Sequence, residues 1–159
     1  MYGRGSGIWW VSFFMMRSEN DRMTGSLFGS EAGPRQEELG PGATLLRGFA
    51  LAEEGAVLAA VADVGSRAPF RHMTTPGGFR MSVAMTNCGE VGWITDRSGY
   101  RYSPEDPTTG QPWPPMPAIF RSLAARAAAA GGFGGFAPDA CLVNRYEPGT
   151  KLSLHRDED

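Results

Sequence analysis

A chain of 159 residues, 42% hydrophobic and 20% charged, is long enough for one domain with a real core and has the composition of a soluble globular protein. Its formal net charge of -2 gives no bulk electrostatic argument for nucleic acid, and two cysteines are too few for a disulfide scaffold, fitting buried free thiols in a reducing cytoplasm. Twenty-two Gly and twelve Pro favour short strands between turns over a helical bundle.

The apolar run IWWVSFFMM at residues 8–16 is too short to cross a bilayer, which takes about 20 helical residues. Arg17, Glu19, Asp21 and Arg22 follow it where a signal peptide would place a small-residue cleavage site. Residues 1–22 therefore read as a non-native or disordered extension, with Met23 as the expected first residue and 23–159 as the domain. Residues 25–42, rich in Gly, Pro and Glu, read as an irregular lead-in, and ATLLRGF at 43–49 as the first strand. A helix is expected over 52–64, with Val57, Leu58, Val61 and Val64 as its apolar stripe, covering one face of a sheet; Glu53 and Glu54 suit the positive end of its dipole.

PFRHMTTPGG at 69–78 is a loop turning at Pro76-Gly77. Residues 79–86 then alternate, with Phe79, Met81, Val83 and Met85 on one face and Arg80, Ser82, Ala84 and Thr86 on the other. Such methionines suit filler in an irregular core and equally a soft wall against a ligand. Asn87-Cys88-Gly89 reads as a turn, and 91–95 as a short strand carrying Trp93. RSGYRYSPEDPTTGQPW at 97–113 sets aromatics among turn formers and should lie at the surface. Tyrosine and tryptophan beside arginine suit nucleic-acid stacking and phosphate contact, and equally a well-anchored loop. Arg67, Arg71, His72, Arg80, Arg97 and Arg101 put positive charge mid-chain, as ordinary solvated side chains or as a local patch.

Pro117 opens a second helix running to Ala130, with Ile119, Phe120, Leu123 and Ala127 on its buried face and Gly131 as its cap. The glycines of GGFGGFAPD lack phosphate-loop spacing, which argues against nucleotide binding there. Residues 142–147 read as a strand and Pro148-Gly149 as a turn. Over 152–155 apolar and polar residues alternate, so Ser153, His155 and Asp157 share a face opposite Leu152 and Leu154. An imidazole and a carboxylate so placed can hold two positions of an octahedral ion, and a further histidine would complete a facial triad; a bare His-x-Asp is also an ordinary surface pair.

Four stretches occur in one order: TPGGFRMSVAMTNCG (75–89), GY and YSP with a following DP (99–107), PDACLVNRYEPG (138–149) and KLSLHRDED (151–159). From about Leu27 onward the chain resembles the bacterial AlkB family, iron(II)- and 2-oxoglutarate-dependent dioxygenases that reverse alkylation damage to nucleic-acid bases, and it covers roughly the first two thirds of such an enzyme. The resemblance implies a mainly β fold with buttressing helices (α+β): a double-stranded β-helix of the jelly-roll type, incomplete in this chain, with a nucleotide-recognition lid at about 69–113. It makes His155 and Asp157 the catalytic iron ligands, with a third histidine and the arginines that grip 2-oxoglutarate expected beyond Asp159.

By the same resemblance Asn144 and Tyr146 contact the cosubstrate carboxylates, with Leu142 on their face and Leu152 in the adjoining apolar wall. Trp93 would stack on a flipped damaged base opposite the ring of His155, and Asp159 would approach the exocyclic amine of an adenine-like base. Thr75, Met81 and Tyr100 would belong to the lid, Tyr100 holding phosphate and Met81 lining the base pocket. Ile94 and Asp96 depart from the family pattern, which has Thr and His there. The implied activity is oxidative removal of the methyl group from 1-methyladenine or 3-methylcytosine in single- or double-stranded DNA, with RNA as a further candidate, releasing formaldehyde, succinate and carbon dioxide. The complete enzyme is expected to be a cytoplasmic monomer without a membrane partner. Lacking the third ligand and the cosubstrate arginines, these residues alone are expected to be inactive, the alternative being a noncatalytic nucleic-acid-binding or structural fragment.

Overall fold

A computed structural model of the chain describes residues 35–150. Eight strands, two α-helices and one short 3-10 turn make up its regular structure, and the strands associate as four antiparallel pairs. Strands thus dominate, in keeping with the expected class. Two compact units divide these residues: 35–58 with 118–138, and 59–117 with 139–150.

In the first unit, β1 (Arg35–Gly40) pairs with β2 (Ala43–Arg47), and Gly42 takes a positive φ of 74° in the connecting turn. From Arg35 onward the expected irregular lead-in is therefore half of a hairpin: pairing satisfies its backbone groups, and Arg47 donates from Nε and Nη2 to Glu37 Oε2 at 3.0 and 2.9 Å; residues 25–34 lie outside the described residues. The 3-10 turn Leu51–Glu53 leads into α1 (Glu54–Arg67), in which Val57 and Val64 are buried while Leu58 is exposed, so the apolar stripe is narrower than its sequence suggests. Helix α2 (Ala118–Ala130) buries Phe120, Leu123 and Ala124, and its Arg126 pairs with Glu53 and lies over the Phe49 ring. Gln36 Nε2 donates to the orphan carbonyl of Ala130 at 3.1 Å, closing the helix end.

In the second unit, β3 (Ala84–Gly89) pairs with β8 (Ala140–Arg145) from Ala84 opposite Arg145 to Gly89 opposite Ala140. Both register and extent differ from the periodic reading. The alternating segment enters a ladder only at Ala84; upstream, residues 73–81 form a separate tight hairpin, closed by Met81 N–H donating to Met73 O at 2.8 Å, and Phe79 at its tip is exposed. Asn87 and Cys88 belong to β3 and not to a turn. Position 89, the last of β3, requires glycine because its φ is +123° and a Cβ there would collide with the Asp139 carbonyl; its N–H donates to Pro114 O at 2.9 Å.

Strands β4 (Gly92–Asp96) and β5 (Gly99–Ser103) form the next hairpin, and β6 (Glu105–Asp106) pairs with β7 (Gln111–Pro112). The stretch expected as a surface loop is thus built around short strands and two buried residues, Asp106 and Trp113. Asp106 is 2% exposed; its carboxylate meets Arg71 Nη1 at 2.8 and 2.9 Å and accepts the Thr108 backbone N–H at 2.8 Å. The same guanidinium lies 5.1 Å from the centre of the Trp113 ring, whose Nε1 donates to Ser103 O at 2.9 Å. The core beneath consists of Ala68, Met73, Val83, Met85, Ile94 and Trp113, each large side chain contributing about 1.5–3 kcal/mol on burial. Thr86 Oγ1 donates to Ala68 O at 2.6 Å, fastening the end of α1 to β3.

Cys88 and Cys141 face each other across β3 and β8 as free thiols; the hydrogen bond from its partner, and then burial, push the Cys88 thiol well above its ordinary range. Among the described residues no helix is long and apolar enough to cross a membrane.

Because Arg71 is half-buried beside Trp113, Asp106→Ala leaves its guanidinium without an acid and should cost about 3 kcal/mol of unfolding free energy. Urea denaturation checks this; a loss under about 1 kcal/mol, typical of an exposed pair, would show that the ion pair does not hold the 97–113 segment.

Candidate functional site

Strand β8 sets the first part of the site. Alternation puts Leu142 and Asn144 on one face, and Tyr146 continues it just beyond the strand; opposite them on β3 stand Asn87 and Met85, partners of Leu142 and Asn144. Leu142 and Tyr146 pack against the core cluster, as do Met81 and Trp93. Four residues singled out from the sequence, drawn from three separate segments, therefore border one apolar cluster. The Tyr146 phenol is a protonated donor at neutral pH, and burial raises its pKa further. The buried Oδ1 of Asn144 has no hydrogen-bond partner among the described residues. A buried amide oxygen left without a partner costs about 1–3 kcal/mol, and a half turn of χ2 exchanges it for the NH2 donor, so this end of the side chain suits a ligand.

Trp93 is positioned by Asn87, a residue of β3 whose sequence context suggests a turn. Asn87, 1% exposed, accepts the Trp93 N–H at Oδ1 and donates from Nδ2 to Trp93 O, both at 3.0 Å. Its amide thus takes the place of a neighbouring strand's backbone. Glycine at position 92 is required by the same contact: a Cβ there would lie 2.8 Å from Asn87 Cβ and overlap the Trp113 indole. Across the β4–β5 hairpin, Tyr100 stacks on Trp93 with ring centres 5.7 Å apart and planes 23° apart. The two aromatics form one continuous surface, with Tyr100 mostly exposed and Trp93 half-buried.

Thr75 lies in the 73–81 hairpin, where its Oγ1 accepts the Phe79 N–H at 3.2 Å and its backbone N–H donates to Phe79 O at 2.8 Å. His72 Nδ1 is 2.9 Å from Met81 O, so the Nδ1–H tautomer fixes the hairpin arm that carries Met81. Asp96, the departure from the family pattern, is bound by Arg101 through Nη2 at 2.6 Å and Nη1 at 3.0 Å and accepts the Ser98 N–H at 2.7 Å. These bonds, Arg101 first, hold its carboxyl well below the usual carboxylate range. Its charge is matched within the hairpin and is not left facing outward alone.

His155, Asp157, Leu152 and Asp159 lie outside the described residues. Among the described residues there is no group of three or more His, Cys, Asp or Glu that could hold a metal ion. The donor types at 155 and 157 are those a non-haem iron accepts, and the amide of Asn144 and the phenol of Tyr146 are donors that a carboxylate could accept from, so the residue types fit iron and a dicarboxylate. Sequence reasoning missed Asn87 and His72 as supports; an asparagine inside an otherwise apolar, alternating run was the available signal for the first.

Residues 42–159 match the family model of the 2OG-Fe(II) oxygenase superfamily. The chain is 56% identical over 130 residues to "Alpha-ketoglutarate-dependent dioxygenase AlkB" of Escherichia coli, an alignment covering 82% of this chain and 60% of that protein. It is likewise 56% identical over 133 residues to the protein of the same name from Salmonella typhimurium, covering 84% of this chain and 61% of that one. A homologue from Caulobacter vibrioides is 40% identical over 109 residues, 69% of this chain and 48% of its own. The chain thus spans about 60% of the length of the first two curated relatives.

Asn87→Ala removes both hydrogen bonds to the Trp93 backbone and should lower stability by about 2 kcal/mol. Denaturation followed by tryptophan fluorescence reads this, and a change within about 0.5 kcal/mol would mean that the amide does not position Trp93.

Proposed function

This chain belongs to the 2OG-Fe(II) oxygenase superfamily, whose members use Fe(II) and 2-oxoglutarate, and from that premise we propose that it carries the substrate-facing part of a nucleic-acid dealkylase. The reaction is oxidative removal of N-methyl groups, as from 1-methyladenine and 3-methylcytosine, in DNA and RNA. The observation that carries this reading is the pairing of a ligand-ready amide, Asn144, with the Trp93–Tyr100 surface, on strands joined through Asn87. Neither feature alone distinguishes a dealkylase from another oxygenase or from a plain binding module. Together they suit a small dicarboxylate and a flat aromatic substrate.

Each side chain then has a task. His155 and Asp157 would hold the metal, and Asn144 and Tyr146 the carboxylates of the cosubstrate, with Leu142 and Leu152 keeping water from that side. Iron with 2-oxoglutarate, when bound, supplies the oxidation of the N-alkyl carbon. Trp93 stacks on one face of an extruded base and His155 covers the other, while Asp159 accepts from an exocyclic amine. Residues 69–113 act as the covering segment: Thr75 shapes its first turn, Met81 adds a soft wall, and Tyr100 extends the stack toward the strand's phosphates.

Release of succinate and formaldehyde from an oligonucleotide carrying 1-methyladenine tests the reading, with this chain and with the chain joined to the remainder of the Escherichia coli relative. The fusion should turn over, and His155→Ala should lower its rate at least about 100-fold. No turnover by either protein would overturn the dealkylase reading and favour a noncatalytic binding role. Asp96→Asn frees Arg101 from its pair and should tighten binding of a single strand, steepening the dependence of log Kd on log salt by about 0.7. An unchanged slope, read by anisotropy across a salt series, would place Arg101 away from the phosphates.

A further inference from the structure

Phe79 is the most exposed large apolar side chain among the described residues, at 76%, and it sits on a rigid support. The Thr75–Phe79 turn is closed by three hydrogen bonds: Thr75 N–H to Phe79 O at 2.8 Å, Gly78 N–H to Thr75 O at 2.8 Å, and Phe79 N–H to Thr75 Oγ1 at 3.2 Å. The ring lies beside Gly77, where an added Cβ would be 3.4 Å from Cδ2 and Cε2. Thr95 Oγ1 donates to Thr74 O at 3.2 Å, fastening this hairpin to the β4 strand that carries Trp93. The tips of the two hairpins meet: Arg97 Nη2 lies 4.0 Å from where a Cβ on Gly78 would stand.

A single exposed apolar residue needs no explanation by itself. Two exposed arginines stand near this turn, Arg80 next to Phe79 in the chain and Arg97 at the tip of the adjoining hairpin; like Arg121 on α2, neither forms an ion pair with a described residue, whereas Arg47, Arg67, Arg71, Arg101, Arg126 and Arg145 each pair with an acid. An exposed apolar ring with unmatched positive charge close by in the fold complements a base with its phosphates, and a ring held by a closed turn loses little freedom on stacking.

We propose that Phe79 is a second stacking platform, for an unpaired base adjacent in the strand to the damaged one, with Arg80 and Arg97 receiving the phosphates beside it. The proposal rests on the dealkylase reading and adds to it a subsite for the neighbouring nucleotide of a single strand. Trp93 and Phe79 then hold two bases of one strand on two hairpins tied together at Thr95.

Fluorescence anisotropy with the full chain tests it, using a labelled single strand with one 1-methyladenine and two further strands lacking the base on its 5′ or its 3′ side. Phe79→Ala should weaken binding of the intact strand roughly tenfold, and Phe79→Trp should restore it. One of the two abasic strands should bind the unaltered protein roughly tenfold more weakly, with no further loss in Phe79→Ala. Arg80→Ala and Arg97→Ala should each lower the salt slope by about 0.7. Binding that is unaffected by Phe79→Ala but weakened by Trp93→Ala overturns the second platform and leaves the dealkylase reading standing. Equal abasic losses in Phe79→Ala and the unaltered protein also overturn it, since the ring would then not contact that base. Binding no tighter for the methylated strand and indifferent to Trp93→Ala overturns the underlying reading as well.

Discussion

A buried side-chain amide does the work of a backbone in this protein. Asn87 sits within β3, whose ladder on one side is made with β8, and reaches Trp93 on β4 with both ends of its amide. The β3–β8 pair and the aromatic β4–β5 hairpin are therefore tied by this residue in addition to the apolar packing they share. An amide buried to 1% is stabilising only when both its donor and its acceptor are met, because an unmet end costs about as much as a net hydrogen bond contributes. Asn87 meets that condition, and with the apolar packing around Met85 and Ile94 it sets the placement of Trp93 against β3. Gly92 is then obligatory, since any Cβ there would enter the space the amide and the Trp113 indole already fill.

Charge is handled in three ways, and burial decides which matters for stability. Arg71 and Asp106 form a pair drawn largely out of water, where desolvation is offset only because Asp106 also receives a backbone N–H and Arg71 also covers an indole. That pair anchors a segment with few aliphatic residues of its own. Asp96 and Arg101 are both exposed, so water screens their bond, and its main effect is to cancel charge at the hairpin tip. Arg80 and Arg97 are left with charge to offer a partner. A net charge of -2 is compatible with all three, because it sums over sites that water and local acids treat differently.

The family match and the geometry bear on different parts of the chain. Membership extends over residues 42–159 and includes His155 and Asp157, while the described structure carries the strands that would present a cosubstrate and a base. The described side chains already separate two kinds of surface. One is apolar and half-buried, bordered by Met81, Trp93, Leu142 and Tyr146; the other is exposed and aromatic, at Tyr100 and Phe79. Under the proposed function the first would keep water from a reactive oxidant and the second would hold a polyanionic strand.

Much of this was legible in the sequence. The apolar spacing of α2, the short runs that became β2, β4 and β8, and the Pro148-Gly149 turn are local signals, set by side-chain periodicity and by residues that fix or free φ. The order of motifs pointed to the family, and alternation correctly put Leu142, Asn144 and Tyr146 on one face. Periodicity misplaced the start of β3, however, because Phe79 and Met81 alternate as well as Val83 and Met85 do, and only the closing bonds between Met73 and Met81 separate the hairpin from the strand. Asn87 looked like a turn residue, Asp106 like a loop acid and the lead-in like coil, since each owes its conformation to a partner elsewhere in the chain: Trp93, Arg71 and β2. The sequence by itself determined the local elements and the chemistry available. Only tertiary structure decided which distant groups satisfied each other's hydrogen bonds and charges, because that depends on where the folded chain brings them together and not on their spacing along it.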